Sequence, residues 1–290
     1  MDLEGTDRRM VDAILCHLAE HPQAADTIDG IQRWWLGPEF QDESHLRIAS
    51  TVETLVSTGH LERRPLPSGG AIYGAPGRSG RIAEPTGPER WRLLWAALGT
   101  AAVDDGLRQM LIARYGERHR HYHTMQHIEE CLTRFDDLRP LTEHPAEVEV
   151  AVWFHDAIYA PRRKDNEERS AEWARASLAS AGIDDAASRR VVDLILATRH
   201  AALPETADTQ VLVDIDLSIL GADVARFDEY EAQVRKEYRW VPGLLYRRER
   251  ARVLREFLVR PRIFSTERIF GELERRAREN LERSLARLGG

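Results

Sequence analysis

From Glu89 onward, every strong apolar pattern in this chain repeats at helical spacing. Trp91, Leu94, Trp95 and Leu98 open the first helix of this region. Further helices are expected at about 122–137, 145–159, 166–181, 185–200, 221–239, 244–259 and 265–288. Residues 210–216 have β-branched content that a strand would accept. Asp214 and Asp216 would then share one face, which is odd for a lone strand. Residues 89–290 are therefore expected to form one all-helical domain.

The N-terminal part reads differently. Val11, Ile14, Leu15 and Leu18 give a helix over 8–20, stopped at His21-Pro22. A short helix over 26–35 follows, capped by Asp26 or Thr27. A third, over about 42–58, turns Leu46, Ile48, Val52, Leu55 and Val56 inward and ends at Gly59. Leu61-Glu62-Arg63-Arg64 and Ala71-Ile72-Tyr73 flank a Gly-rich turn at 67–70 and read as a β-hairpin. Three helices and a hairpin resemble a winged helix-turn-helix, with the third helix as recognition helix and the hairpin as wing. Residues 74–88 hold three prolines and four glycines without an apolar period. The expected organisation is a small α+β domain at 1–75, a linker at 76–88 and the helical domain at 89–290. The fold class is mainly α.

At 290 residues, 42% hydrophobic and 31% charged, the composition is that of a globular protein able to bury a sizeable core. Cys16 and Cys131 form no CxxC and read as free thiols in a reducing compartment. No apolar run reaches spanning length and no signal-peptide layout opens the chain, so a cytoplasmic protein without a membrane role is expected. The net charge of −7 argues against general affinity for nucleic-acid backbone or anionic membrane. A phosphate substrate would then need a metal ion or clustered Arg to attract it.

Chemistry is concentrated in five places. Four of the eleven histidines, His119, His121, His123 and His127, fall within nine positions. His123 and His127 share a helix face, where two imidazoles can converge on one metal; a polar helix start with solvated histidines is the structural alternative. His155-Asp156 follows an apolar run, and a buried titratable pair needs a partner or a metal. Asp214 and Asp216 offer a further carboxylate, unless Asp216 serves as a helix cap. Asp165 and Glu168 fit an N-cap and capping box, which leaves Asn166 and Glu167 unexplained. Thr198-Arg199-His200 is the fifth.

The order and combination of these segments resemble the HD superfamily of metal-dependent phosphohydrolases. The narrower resemblance is to predicted phosphohydrolases marked by YHTxxHI, WFHDxIY, DNEExSA and DxDLxILG. This chain has YHTMQHI at 122–128, WFHDAIY at 153–159, DNEERSA at 165–171 and DIDLSILG at 214–221. Thr198-Arg199-His200, Glu237-Tyr238 and residues 277–281 also fit, and the likeness covers about residues 90–288. The resemblance implies an HD-domain fold in which His127, His155, Asp156 and Asp216 bind a divalent metal. His127 is preferred to His123 for its His-Ile context, and Asp216 to Asp214 because Leu217 follows it. His123 and His200 are candidates for a second metal.

The implied activity is hydrolysis of a phosphate ester, a nucleotide or related small molecule, with Asp156 and Glu167 as catalytic residues. The ligand set suits Mn²⁺, Fe²⁺, Co²⁺ or Ni²⁺, with Mg²⁺ also open. Arg118, Arg120, Lys164 and Arg199 are candidate phosphate contacts, followed by Arg247 and Arg248. One alternative is an HD-fold di-iron oxygenase. Another is a DNA-binding protein whose helical domain senses metal or nucleotide. Residues 1–80 hold seven Arg and no Lys against twelve Asp plus Glu, a balance of 7 − 12 = −5. Arg47, Arg63, Arg64 and Arg78 make only a thin basic patch, so docking to a protein partner or homodimerisation through this domain is as well supported as DNA binding. Trp34-Trp35 is expected in a core or interface.

Overall fold

The computed structural model describes residues 5–21, 24–40, 43–58, 60–65, 70–74, 85–100 and 105–289. The expected helix stop at Pro22, helix start at Asp42, Gly59, most of the hairpin turn, Arg78 and linker residues 76–84 lie outside them. The chain divides into two compact units, Met1–Ile82 and Ala83–Gly290. It is mainly helical, with a small three-stranded sheet. Among the described residues, no helix is long and apolar enough to cross a membrane.

The first unit contains α1 (Gly5–Glu20), β1 (Ala25–Asp26), α2 (Ile28–Gly30, running on into a π turn at Ile31–Trp35), α3 (His45–Ser57), β2 (Glu62–Pro65) and β3 (Ala71–Gly74). The strands lie in the order β1-β3-β2, both pairs antiparallel, with Asp26 and Arg63 opposite Tyr73. Strand β1 was not expected; two residues are too few for alternation to register. Ser44 accepts from the Arg47 N–H and starts α3 three residues later than the apolar pattern placed it. Met10 and Ile14 of α1, Ile48, Val52 and Leu55 of α3, and Tyr73 of β3 form one core. Leu46, expected inward, is 82% exposed. It lies two residues, about 200° of helix, from Ile48 on the buried face. Trp35 is buried and Trp34 exposed.

The second unit is built from α4 (Pro88–Ala97), α5 (Asp105–Tyr115), α6 (Met125–Leu138), α7 (Pro145–Phe154), α8 (Asn166–Ser180), α9 (Asp185–Ala197), α10 (Ala207–Leu217), α11 (Val224–Glu237), α12 (Gly243–Leu258) and α13 (Glu267–Gly289). Residues 85–88, expected in the linker, belong here: Arg108 of α5 donates to the Thr86 carbonyl at 2.9 Å, and Pro88 is the first residue of α4. Helix α5 is not among the helices expected from the sequence: Leu107, Leu111 and Tyr115 repeat at four-residue spacing, but Arg108 and Arg114 flank the stripe and narrow it. Residues 210–216 fall in α10, which a Thr206–Thr209 capping box opens.

Helix α7 is the axis of this unit. It packs against α4, α6, α8, α9 and α10, and Glu147 through Phe154 are all buried. A helix apolar on every side has no solvent face to offer, so it is enclosed. Its two glutamates are tolerated because arginines meet them. Arg190 grips Glu147 with two bonds of 2.7 Å, and Arg90 reaches Glu149 at 2.7 Å while binding Asp136. Enclosure on all sides fixes where α7 ends, and His155-Asp156 stands at that end.

Candidate metal centre

His155 is the C-cap of α7 and retains helical backbone. Its Nδ1 donates to the Val152 carbonyl at 2.9 Å, which leaves Nε2 with the lone pair and aims it away from the helix. The turn that follows is fastened by Arg120, whose guanidinium donates to the carbonyls of Asp156 (2.6 Å), Ala157 (2.9 Å) and His123 (3.3 Å). Ser170 and Asn166 hold the backbone at Ile158 and Ala160. These bonds set where the Asp156 carboxylate points.

Three other helix ends complete the group. His127 sits in the first turn of α6, buried, with Cys131 one turn on, its Sγ 3.7 Å from Nδ1. Asp216 comes from the last turn of α10. Asp214, two residues earlier, is fully buried and faces elsewhere. It accepts from the Ser265 and Thr266 N–H groups at 2.7 Å and so anchors the start of α13. His200 follows α9 and is the only non-glycine residue with positive φ among those described, at 54°. That left-handed backbone costs roughly 1–3 kcal/mol. It delivers Nε2 to Asp216 Oδ2 at 2.9 Å, while Arg260 holds the His200 carbonyl.

The donor atoms of His127, His155 and Asp216 all lie within 4.8 Å of one another. His127 Nε2 is 3.1 Å from His155 Nε2 and 3.3 Å from Asp216 Oδ1. Asp156 Oδ2 joins at 3.2 Å from His155 Nε2 and 3.7 Å from His127 Nε2. Neighbouring ligands about 2.1 Å from a common ion stand roughly 3 Å apart, so these separations suit a shared cation.

The electrostatics point the same way. Burial alone would drive His155 down, but the carboxylates of Asp156 and Asp216 outweigh it and hold the imidazole well above its ordinary range. Burial would likewise raise Asp156 and Asp216; the surrounding histidines hold both below the usual carboxylate range instead. Two carboxylates and facing nitrogen lone pairs thus demand positive charge between them, from protons or from a metal ion. Both imidazoles and both carboxylates fit a divalent ion that takes mixed nitrogen and oxygen ligands.

A cavity of about 710 Å³ opens onto His155, Asp156 and Asp216. His123, Glu167, Lys164, Arg199 and His200 line it, as do Arg163 and an aromatic wall in which Tyr238 is joined by Trp240 and Tyr246, two residues that no sequence motif marks. Burial and the Asp156 carboxylate push the Glu167 carboxyl up. Lys164 is exposed; Arg199 pairs with Glu168 at 2.9 Å. The expected capping box at α8 does not form, because Asp165 turns to Arg163 at 2.7 Å. Two expected phosphate contacts are displaced. Arg120 is buried with its guanidinium committed to carbonyls and to Glu117, and Arg118 is exposed and lines no part of the cavity. Arg247 and Arg248 are exposed and do not line it either. A second cavity, about 670 Å³, reaches His127 and Asp216 from another side, but there Arg226 is tied to Glu130 and Arg134 to Glu272.

No family model matches this sequence, and no curated protein or solved structure matches it significantly.

Proposed function

We propose that the Ala83–Gly290 unit is a divalent-metal-dependent phosphohydrolase of the HD type, acting on a small phosphate ester of the nucleotide class. The convergence of His127, His155 and Asp216 from three helix ends, their donor atoms within 4.8 Å of one another, carries this reading, with Asp156 Oδ2 3.2 Å from His155 Nε2 and 3.7 Å from His127 Nε2. The same four residues are those the HD resemblance implies. A bound divalent ion would polarise a phosphoryl oxygen and acidify water.

The protein groups supply the rest. Lys164 lines the cavity beside Asp156 and attracts the phosphate that the net negative charge would otherwise repel; Arg163 and Arg199 line it too, each paired with a carboxylate, Asp165 and Glu168, that a phosphate would have to displace. Asp156 orients the attacking water at phosphorus. As the new P–O bond forms and the ester P–O bond breaks, Glu167 donates a proton to the leaving oxygen and recovers one from the attacking water, whose other proton stays on the phosphate. Its raised pKa lets it carry that proton closer to neutrality than an ordinary carboxyl. Alcohol and phosphate leave. The wall of Tyr238, Trp240 and Tyr246 gives a flat leaving group a surface to stack on.

The di-iron alternative needs a second shell from His123 and His200. His200 Nε2 is engaged by Asp216, which favours a supporting role behind that ligand. For the Met1–Ile82 unit we infer a winged-helix-like module, supported by the helix order and by β1 completing a three-stranded sheet. Arg47 lies 3.6 Å from Glu43 and Arg63 lies 3.9 Å from Glu53, which favours docking to protein, another copy included, over DNA backbone. A low-salt gel shift beside a solution mass measurement separates these.

The test of the enzyme is a nucleotide and phosphomonoester screen with Mn²⁺ present. Hydrolysis is expected and is lost in His155→Ala/Asp156→Ala. Activity that survives in that variant overturns the assignment.

A further inference from the structure

Glu237 ends α11 and is almost fully buried, yet no apolar core residue explains a carboxylate there. Its Oε1 accepts from three successive backbone N–H groups, His121 (2.7 Å), Tyr122 (2.8 Å) and His123 (3.1 Å). Its Oε2 accepts from His123 Nδ1 and from the Tyr159 hydroxyl, both at 2.8 Å. The three backbone bonds to one oxygen suffice to anchor the loop before α6. The second oxygen does something else: it acts on a side chain.

A carboxylate only accepts, so His123 Nδ1 carries a proton and the neutral ring keeps its lone pair on Nε2. The ring plane is clamped as well. Tyr159 stacks on it with centroids 4.1 Å apart, and Tyr122 meets it edge-on at 4.9 Å. Held this way, Nε2 lines the cavity and stands 3.9 Å from Asp156 Oδ2. That is too long for a hydrogen bond, and with the ring neutral it separates two groups that both accept. What lies between them has to offer protons or positive charge, as a water molecule or a cation does.

We propose that Glu237 is a positioning residue that fixes the tautomer of His123, so that His123 Nε2 and Asp156 grip one water or cation at the cavity wall. Three sequence features that the metal ligands leave unused meet in this device: the His of the YHT segment, the last Tyr of WFHDAIY, and Glu237. The role of the gripped species in hydrolysis rests on the function proposed above; the tautomer itself does not.

The experiment uses the full chain labelled with ¹⁵N-histidine, free of metal and at alkaline pH, where the ring is neutral. Long-range ¹H–¹⁵N spectra, with His123 assigned by its loss in His123→Ala, are expected to give the Nδ1–H form. In Glu237→Gln the amide oxygen keeps the three backbone bonds and the NH₂ group faces Nδ1. The proton should move to Nε2. With Mn²⁺ and p-nitrophenyl phosphate, Glu237→Gln is expected to lower kcat about 10- to 100-fold with little change in KM. His123→Ala should lose as much, and the double variant no more than either. An Nε2–H tautomer in the unaltered protein overturns the proposal, and that spectrum decides even if Glu237→Gln does not fold. So does an unchanged tautomer in Glu237→Gln, or losses that multiply. A tautomer switch without any hydrolysis by the unaltered protein would count against the proposed function and leave the positioning role standing.

Discussion

In the Met1–Ile82 unit, Thr51 is the one buried polar side chain among those described, whereas the Ala83–Gly290 unit buries Arg90, Arg120, His127, Glu147, Glu149, His155, Asp214, Glu237 and more. Burying a charge without a partner costs several kcal/mol, so each such group has to be accounted for. Most are. Arg90 meets Glu149, Arg190 meets Glu147, and Asp214 meets the N–H groups that open α13. The exception is the cluster at the ends of α6, α7 and α10, where imidazole nitrogens and carboxylate oxygens crowd together and need protons or a metal ion between them. A buried polar group by itself therefore says little about function. What separates a scaffold pair from a site is whether the group's needs are met by its neighbours.

This contrast can be broken by substitution. The largest effect should come from the site. His155→Ala/Asp156→Ala is expected to reduce metal-supported turnover by well over ~100-fold, more than the loss typical of outer-sphere partners. Its thermal melt should stay near that of the metal-free parent. Among scaffold pairs, Arg90→Ala leaves buried Glu149 with Arg139 alone and frees half-exposed Asp136, and should cost about 3 kcal/mol in denaturant unfolding, the low end for breaking a buried pair. Asp214→Ala leaves two N–H groups and the Thr266 hydroxyl without their acceptor, and a loss of ~2–3 kcal/mol is expected with metal uptake retained. Equal loss of metal uptake in that variant would show that scaffold and site are not separable.

A smaller, pH-dependent effect should follow from Glu237. Burial opposes its ionisation, but His123 and the backbone N–H groups hold it at about 2 against the ordinary 4.5. A depressed carboxyl contributes stability that is fully present above the unfolded value and is lost as pH falls through the folded one. Acid unfolding between pH 4.5 and 2 should therefore be shallower in Glu237→Gln. The smallest effect is expected in the first unit. Thr51 gives its hydroxyl only to the Arg47 carbonyl within its own helix, so Thr51→Val should change stability by less than about 1 kcal/mol.

Much of this molecule is legible from residue order. Helix identity follows from apolar spacing, and the enclosure of α7 follows from its lack of a polar face. Local arithmetic fails where the partner is distant in sequence. Arg120 looks like a phosphate contact beside four histidines, but two of its acceptors lie 36 and 37 residues on. Glu237 is 114 residues from the imidazole it holds, and nothing in its own neighbourhood announces that task. Asp214 and Asp216 differ by two positions on one helix and meet different elements. Only the packing of α10 decides which of them faces the histidines. Helix α5 is hidden for a local reason, since Arg108 and Arg114 flank its apolar stripe and narrow it.

The most direct test of the account is calorimetric titration of the metal-stripped full chain with Mn²⁺, beside the same titration of Asp216→Ala. A saturable high-affinity site is expected in the parent chain and is lost in the variant. A parent chain that takes up no stoichiometric Mn²⁺, or a variant that binds as tightly as the parent, would contradict it.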